Sequence, residues 1–492
     1  MNILEIANNQ SFSIDELKLL SKEEFYSEFY NILKNNNRLI SILPIDRSKP
    51  NVLSAFFLNN EEGNIKILLG DFPELIFNSF ANEFPHTNYF ECELSEEYGY
   101  EIKNHPWLRP VRKQNRIFGN KDYNFFKIDG EEIHEVAVGP IHAGVIEPGH
   151  FRFQCHGENV YNLEINLGYQ HRGVEKLILK SNSISNKRIL LTESIAGDTV
   201  IGHVNAHTNL IESLSGARLN LRIQAIRGIA SEIERISMHL AGLGGISNDI
   251  GFALPASSYG RLRTLSINSL AELSGSRFGR GLFTYAGVNF DFNDKIINTI
   301  TKNLLVIQND IKFINDYFFT SVGALSRLEE TGIVKKEFAQ EIGMVGLAAR
   351  ASGLNEDIRI NFPYGIYQFS PISLLTLSSG DVFARARLRA LEIDESIKFV
   401  YEQLENLPEG DFKLNINELK KYSGAVSITE GWRGEIVHIA FTDADGKLIQ
   451  YKIKDPSFNN WYGLSLALRN TPISDFPLCN KSFDLSYSGH DL

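Results

Sequence analysis

Apolar positions in the first hundred residues gather in short runs: LISILPI at 39–45, NVLSAFFL at 51–58 and NIKILLG at 64–70. They follow a charged stretch with helical spacing at 15–34. Alternating or continuous apolar runs of this length predict strands, so residues 1–112 read as a small α+β domain with a three- or four-stranded sheet. The stretch KQNRIFGNKDYNFFKIDGE (113–131) is basic and carries Gly and Asn without periodicity, which makes it the candidate linker. A second domain, 132–492, opens with strand-like segments from His134 to Leu167, FRFQC and VYNLEINL flanking the turn-like HGEN. Helical spacing then takes over. In 218–243, Leu219, Ile223, Ile226, Ile229, Ile233, Ile236 and Leu240 recur at three- and four-residue steps with charges mostly between them, as on a long amphipathic bundle helix. Further helices are predicted over 293–318, 335–350 and 380–406, and a late β-hairpin over 424–454 around the turn ADG. The fold class is therefore α+β: an N-terminal small α/β sheet domain followed by a mainly α-helical bundle domain with a peripheral β-sheet.

Composition narrows the function classes. The 492 residues are 43% hydrophobic and 22% charged, ordinary for a globular chain of two or three domains. A net charge of −11 argues against a nucleic-acid footprint, which needs clustered excess Lys and Arg. The three cysteines, Cys92, Cys155 and Cys479, lie far apart and form no CxxC pair, so no zinc or iron–sulfur motif is announced and a reducing cytosolic location fits best. No secretory signal opens the chain, and no apolar run approaches the ~18–20 residues that span a bilayer. No GxGxxG follows a strand, and GLGG at 242–245 ends a helix, so nicotinamide binding has no direct sign.

The clusters that could carry chemistry are GPIHAGVIEPGHFRF (139–153), YQHRGVEK (169–176), LTESIAGDTVIGH (191–203), EIERISMHL (232–240), ARASGLNEDIR (349–359), EGWRGE (430–435) and DLSYSGHDL (484–492). Each has a plain structural reading beside a functional one. A loop histidine such as His142 or His150 is ordinarily solvated or hydrogen-bonded. Gly173 and Glu175 suit a strand-to-helix turn, with Glu175 complementing the helix dipole. Glu232, Glu234, Arg235 and His239 on one helix read by default as a solvated charge face or an interhelical ion pair, with a proton path as the functional alternative. Arg350, Asp357, Arg359, Arg433 and Glu435 lie in Gly-containing settings that imply closely packed backbone.

The order of these blocks, with the helix GDVFARARLRALEIDES (380–396) and NTPISDFPL (470–478), resembles the large subunit of membrane-bound, energy-converting NiFe hydrogenases of the formate hydrogenlyase and hydrogenase-4 type. That subunit is the relative of the quinone-site subunit of respiratory complex I. FECELSEEYGYEIKNHPWLRPVR (90–112) resembles the end of complex I's small peripheral-arm subunit, fused to the large one in such hydrogenases. The resemblance implies a NiFe-hydrogenase large-subunit-like fold. It also implies an iron–sulfur partner of the small-subunit kind and membrane-embedded ion-translocating partners, with this chain peripheral on the cytoplasmic side of the inner membrane.

Two departures carry weight. The nickel and iron of the hydrogenases are held by two CxxC pairs, and these fall here on Ala196 and Thr199 and on Ser486 and Gly489. Thiolates suit those metals; a methyl group, hydroxyls and a hydrogen atom do not replace them. NiFe catalysis and a metal site are rejected, and the chain is expected to bind no cofactor itself, the cluster residing on the partner. The quinone-site histidine of the complex I relatives matches His142 after Gly139 and Pro140, but its facing tyrosine is missing, since none occurs between Tyr169 and Tyr259. The expectation is a polar cavity at the lost metal site lined by Ala196, Asp198, Thr199, His203, Ser486, Gly489 and His490, supported by Arg350, Asp357, Arg359, Arg433 and Glu435. There quinone or another small acceptor takes electrons from the partner's cluster, with Glu175, His142 or His203 moving protons. The alternative is a scaffold subunit that kept the interfaces and lost the chemistry. A free-standing soluble enzyme fits least.

Overall fold

The computed structural model describes residues 3–112, 123–142, 146–181 and 184–492. The N-terminal apolar runs become the strands Arg38–Pro44, Val52–Asn59 and Asn64–Asp71, buried along nearly their whole length. They pair antiparallel in the order Arg38–Pro44, Val52–Asn59, Asn64–Asp71, and Leu4–Ile6 extends the far edge. The short strand Leu19–Leu20, parallel to Asn64–Asp71, makes the sheet five-stranded, more than the three or four expected. The helix runs over Lys22–Lys34 and not from 15. Ser21 accepts from Glu24 N while the Glu24 carboxylate accepts from Ser21 N, a capping box that fixes the start. Phe29 of this helix packs edge-on to Phe57 of the sheet at 4.9 Å and stacks on Phe80 at 4.4 Å.

Upstream of that helix, Ser11–Ser13 pairs instead with a second sheet. The expected late hairpin is the antiparallel meander Ser423–Glu430, Glu435–Thr442, Leu448–Lys454, with Ser11–Ser13 at its edge. Every residue of its first two strands is buried. Asn8 clips the N-terminus onto this sheet: its Nδ2 donates to Phe362 O at 3.0 Å and Ile428 O at 2.9 Å, and its Oδ1 accepts from Ile428 N at 2.9 Å. A third sheet holds Asn159–Asn166, His150–His156 and Ile133–Val138 in that order. Of the candidate linker, 113–122 lies outside the described residues, and 123–130 has no regular structure.

The long helix runs over Leu221–Asp249, capped by Asn220, whose side chain accepts from Ile223 N at 3.0 Å. It packs against Ala253–Ser274 and Val382–Glu405, and Ala253–Ser274 in turn packs against Asp294–Thr320. The helix expected over 335–350 is two short ones, Lys336–Glu341 and Gly346–Ala351, separated where Gly343 and Gly346 take positive φ. The default reading of a solvated charge face is overturned: Glu232, Glu234, Arg235 and His239 are all buried, because neighbours cover the helix on every side. No helix among the described residues is long and apolar enough to cross a membrane.

Asn8→Ala removes three hydrogen bonds between the N-terminal segment and the large core. It is expected to lower the unfolding free energy by roughly 1–3 kcal/mol in a denaturant titration. An unchanged midpoint would show that this clip carries no stability.

Candidate functional site

The helix Val200–Ser215 starts directly after Thr199, and both Thr199 and Ala196 are buried. At the other end of the chain Ser486 caps the terminal helix Tyr487–Asp491, its Oγ accepting from Gly489 N at 2.8 Å. These two segments meet at Asp455. Asp455 Oδ1 accepts from Ser457 N at 2.8 Å, capping the helix Pro456–Ala467, and Oδ2 lies 3.0 Å from His203 Nε2. A Cβ on Gly489 would stand 2.6 Å from Asp455 Oδ2. The carboxylate therefore occupies the space beside position 489. Burial pushes Asp455 upward, but the His203 hydrogen bond and Arg433 outweigh it and hold the carboxyl below its ordinary range. The side chains of Ala196, Thr199, Ser486 and Gly489 offer two hydroxyls and no thiolate, which does not fit nickel and iron. Among the described residues no group of three or more His, Cys, Asp or Glu is arranged to hold a metal ion.

Arg433 closes the same region from the turn joining Ser423–Glu430 to Glu435–Thr442. Its guanidinium binds Asp198 in two-pronged fashion at 2.8 and 2.7 Å and donates to Thr199 Oγ1 at 3.0 Å, and its Nε donates to Asp484 O. It lies 3.9 Å from the Trp432 ring centroid, and Trp432 Nε1 donates to Asp198 O at 2.8 Å. The turn can sit here because Gly346 and Gly434 let two backbones touch: a Cβ on Gly346 would overlap Arg433 O.

Behind Thr199 stands Glu234 of the long helix. Its carboxyl accepts from Ile201 N at 2.7 Å and Gly202 N at 3.1 Å, the first amides of the next helix. Burial raises it to about 8, against the pull of those amides. Further along lies a network of buried charges. Arg350 contacts Glu392 at 2.7 Å, Glu430 at 2.8 Å and Asp357 at 3.4 Å. Arg359 contacts Asp357 at 2.7 Å and Glu232 at 3.1 Å, and Arg235 contacts Glu232 at 3.1 Å. His239 Nε2 lies 2.8 Å from Glu392. Four carboxyls thus face three guanidiniums, and burial, followed by the Asp357 charge, raises Glu430 to about 7.

The remaining expected residues sit elsewhere. Gly173, in the left-handed region, opens the helix Val174–Lys180 with Glu175 in its first turn. The buried Glu175 carboxyl accepts from Lys452 Nζ at 2.9 Å and Ile453 N at 3.0 Å, with Arg47 at 3.6 Å. His142 Nε2 meets Gly149 O at 2.7 Å at the rim of the third sheet. His490 stacks on Phe458 and pairs with Asp491 at 2.9 Å. Glu435 pairs with Arg38 of the N-terminal sheet at 2.5 Å and with Lys454, which hold it at about 2 against burial. The structure thus brings Asp198, Thr199 and Arg433 together, and His203, Ser486 and Gly489 around Asp455. Glu175, His142, His490 and Glu435 each have other partners. Asp455, Glu392 and Glu430 are site neighbours that the sequence reading does not single out, and Glu234 enters it only in the helix cluster weighed for a proton path. Asp455-Pro456 before a helix is a cap signal, but nothing local marks the carboxylate as a neighbour of Gly489.

Comparison with known proteins accords with this architecture. The fused C/D protein of the NADH-quinone oxidoreductase of Bacteroides thetaiotaomicron is 30% identical over 414 residues, covering 75% of this chain and 76% of that protein. Residues 249–425 match the family described as the respiratory-chain NADH dehydrogenase 49 kDa subunit. The chain belongs to this 49 kDa family. Formate hydrogenlyase subunit 5 of Escherichia coli is 29% identical over 394 residues, covering 78% of this chain and 69% of the relative. Among solved structures, a chain of the membrane-bound sulfane sulfur reductase, an archaeal respiratory membrane complex, superposes with a TM-score of 0.68 at 23% identity; the match covers 75% of this chain and all of that one. The 49 kDa family fold is thus shared by subunits of membrane-bound hydrogenases and of complex I-like complexes.

The raised Glu234 pKa has a thermodynamic signature. Below its ordinary value of 4.5 the carboxyl is protonated in both states; between 4.5 and about 8 the unfolded chain releases the proton and the folded one keeps it. Its contribution to stability is therefore full below pH 4.5 and falls through that window, by at most ~1.4 kcal/mol per pH unit. Glu234→Gln should remove this slope, so that denaturant midpoints of variant and wild type diverge between pH 5 and 8, the variant holding up better at the alkaline end. Parallel curves would contradict the assignment.

Proposed function

We propose that this chain is a peripheral subunit of a membrane-associated, complex I-like oxidoreductase without a NiFe centre. It passes electrons from an iron–sulfur cluster on a partner subunit to quinone or another small acceptor. It binds no cofactor itself and meets the membrane through ion-translocating partners, on the cytoplasmic side of the inner membrane.

Glu234 carries this reading. A buried carboxyl raised to about 8 directly behind Thr199 is held protonated near neutral pH and is free to release its proton with a small change in nearby charge. A purely structural ion pair would be met by a guanidinium at contact distance, as Glu232, Asp357 and Glu392 are. Arg433 and Asp198 add a charged pair at the same place, with the Asp198 side chain 39% exposed and so reachable from outside. The scaffold reading is favoured by one observation, the Asp455 carboxylate lodged against Gly489, which takes up room where a ligand would sit.

The two readings separate in the complex purified from native membranes with mild detergent. Its clusters are reduced with dithionite and their reoxidation by added quinone is timed. Glu234→Gln is expected to slow reoxidation by roughly 100-fold, the scale of a lost proton-transfer group, with the same set of subunits still assembled. No reoxidation in the wild type would leave the scaffold reading standing, and equal rates in both would take Glu234 out of the electron transfer.

A further inference from the structure

We infer that an unbroken line of buried imidazoles and phenols, His203–His438–Tyr451–His207–Tyr285, is a proton relay that joins the surface near Ser185 to the Asp455 carboxylate beside Gly489.

The line is assembled from three parts of the fold. His203 and His207 lie one turn apart on the helix Val200–Ser215, His438 and Tyr451 on the adjacent strands Glu435–Thr442 and Leu448–Lys454, and Tyr285 in the turn between Phe283–Thr284 and Gly287–Val288. Asp455 Oδ2 is 3.0 Å from His203 Nε2, His203 Nδ1 is 3.3 Å from His438 Nε2, and His438 Nδ1 is 2.7 Å from Tyr451 Oη. Tyr451 Oη is 2.6 Å from His207 Nδ1, and His207 Nε2 is 2.9 Å from Tyr285 Oη. Tyr285 Oη also reaches Ser185 O at 3.3 Å. Apart from Tyr285, which is 6% exposed, the line has no more than 1% of any residue in contact with solvent among the described residues, which makes Tyr285 its solvent end. There Ile184 and Arg188 line an open depression of about 680 Å³.

Donors and acceptors match along the line in a single polarity. With Asp455 ionised, His203 donates from Nε2, and its Nδ1 accepts from His438 Nε2–H. His438 Nδ1 accepts from the Tyr451 hydroxyl, Tyr451 accepts from His207 Nδ1–H, and His207 Nε2 accepts from Tyr285. One inward step moves each hydrogen across one hydrogen bond: Tyr285 protonates His207 and takes a proton from water, His207 gives one to Tyr451, Tyr451 to His438, and His438 to His203. The product is a His203 imidazolium against the Asp455 carboxylate, one proton having left the solvent. The reverse step restores every tautomer without turning a buried ring. Burial keeps the carriers themselves neutral, with His207 pushed down to about 3 and His438 well below its ordinary value, while Tyr451 and Tyr285 are pushed up. The charges facing the line are Arg188 beside His207, Tyr451 and Tyr285, Glu175 toward Tyr451, Glu212 toward Tyr285, and Arg433 toward Asp455. The use made of the stored proton, to accompany an electron, rests on the proposed redox function; the line itself does not.

The test uses the full chain alone, labelled with ¹⁵N-histidine, so its outcome is independent of any acceptor. NMR line shapes of the His203 nitrogens across a pH titration give the rate at which the ring exchanges between neutral and protonated forms. Tyr451→Phe cuts the line and should slow that exchange by roughly 100-fold, from one averaged signal to two separate ones. A network that only packs the core predicts the opposite sign, since loosening it admits water and speeds exchange. Tyr285→Phe, which cuts the line at its solvent end, should slow His203 in the same way and decides the matter should Tyr451→Phe not fold. Exchange as fast as wild type in either folded variant, or a His203 that stays neutral throughout, would overturn the relay.

Discussion

Charge inside a protein is costly unless it is met by charge of the opposite sign, and the large core of this chain is arranged around that constraint. Arg235, Arg350 and Arg359 come from three separate segments and meet Glu232, Asp357, Glu392 and Glu430 out of reach of water. Loss of one partner from such a set typically costs about 3–5 kcal/mol, because the remaining charge is stranded. The set therefore ties the helices Leu221–Asp249 and Val382–Glu405 to the strand Ser423–Glu430, since a shift of any one of them would strand a charge.

The site follows from those ties. Once Glu430 is held by Arg350, the tight turn after it delivers Arg433 to Asp198 and Thr199, and the next strand delivers His438 to His203. The long helix, held by Arg235 and Glu232, presents Glu234 to the first amides of Val200–Ser215. Ala196, Thr199, Ser486 and Gly489 offer no thiolate, and the carboxylate of Asp455 lies against Gly489. The groups brought together there are oxygen and nitrogen, not the soft thiolate donors that nickel takes.

Much of this was legible in the chain before its structure. Continuous apolar runs marked Val52–Asn59 and Asn64–Asp71 as strands because period and length agreed, and the ordered blocks from GPIH to DLSYSGHDL carried the family. The break at Gly343 and Gly346 has no sign in the helical spacing, which continues across them; a Cβ would meet His86 at Gly343 and the Arg433–Gly434 backbone at Gly346, neighbours far away in sequence. Whether Glu232 and Arg235 face water or the core is not a local property, since the residues that meet them, Arg359 and Glu392, lie more than a hundred positions away. His438, a polar residue between the apolar Val437 and Ile439 of a buried strand, has no local sign of its partners on either side.

The proposed function ties electron arrival from the proposed iron–sulfur partner to protonation of a buried carboxyl of this chain. It is tested most directly by redox titration of the partner's iron–sulfur signals, in the purified complex, at a series of pH values. The midpoint potential is expected to be flat on the acid side of Glu234's value of about 8 and to fall by ~59 mV per pH unit above it, the slope of one proton per electron. A potential independent of pH across the whole range would contradict it.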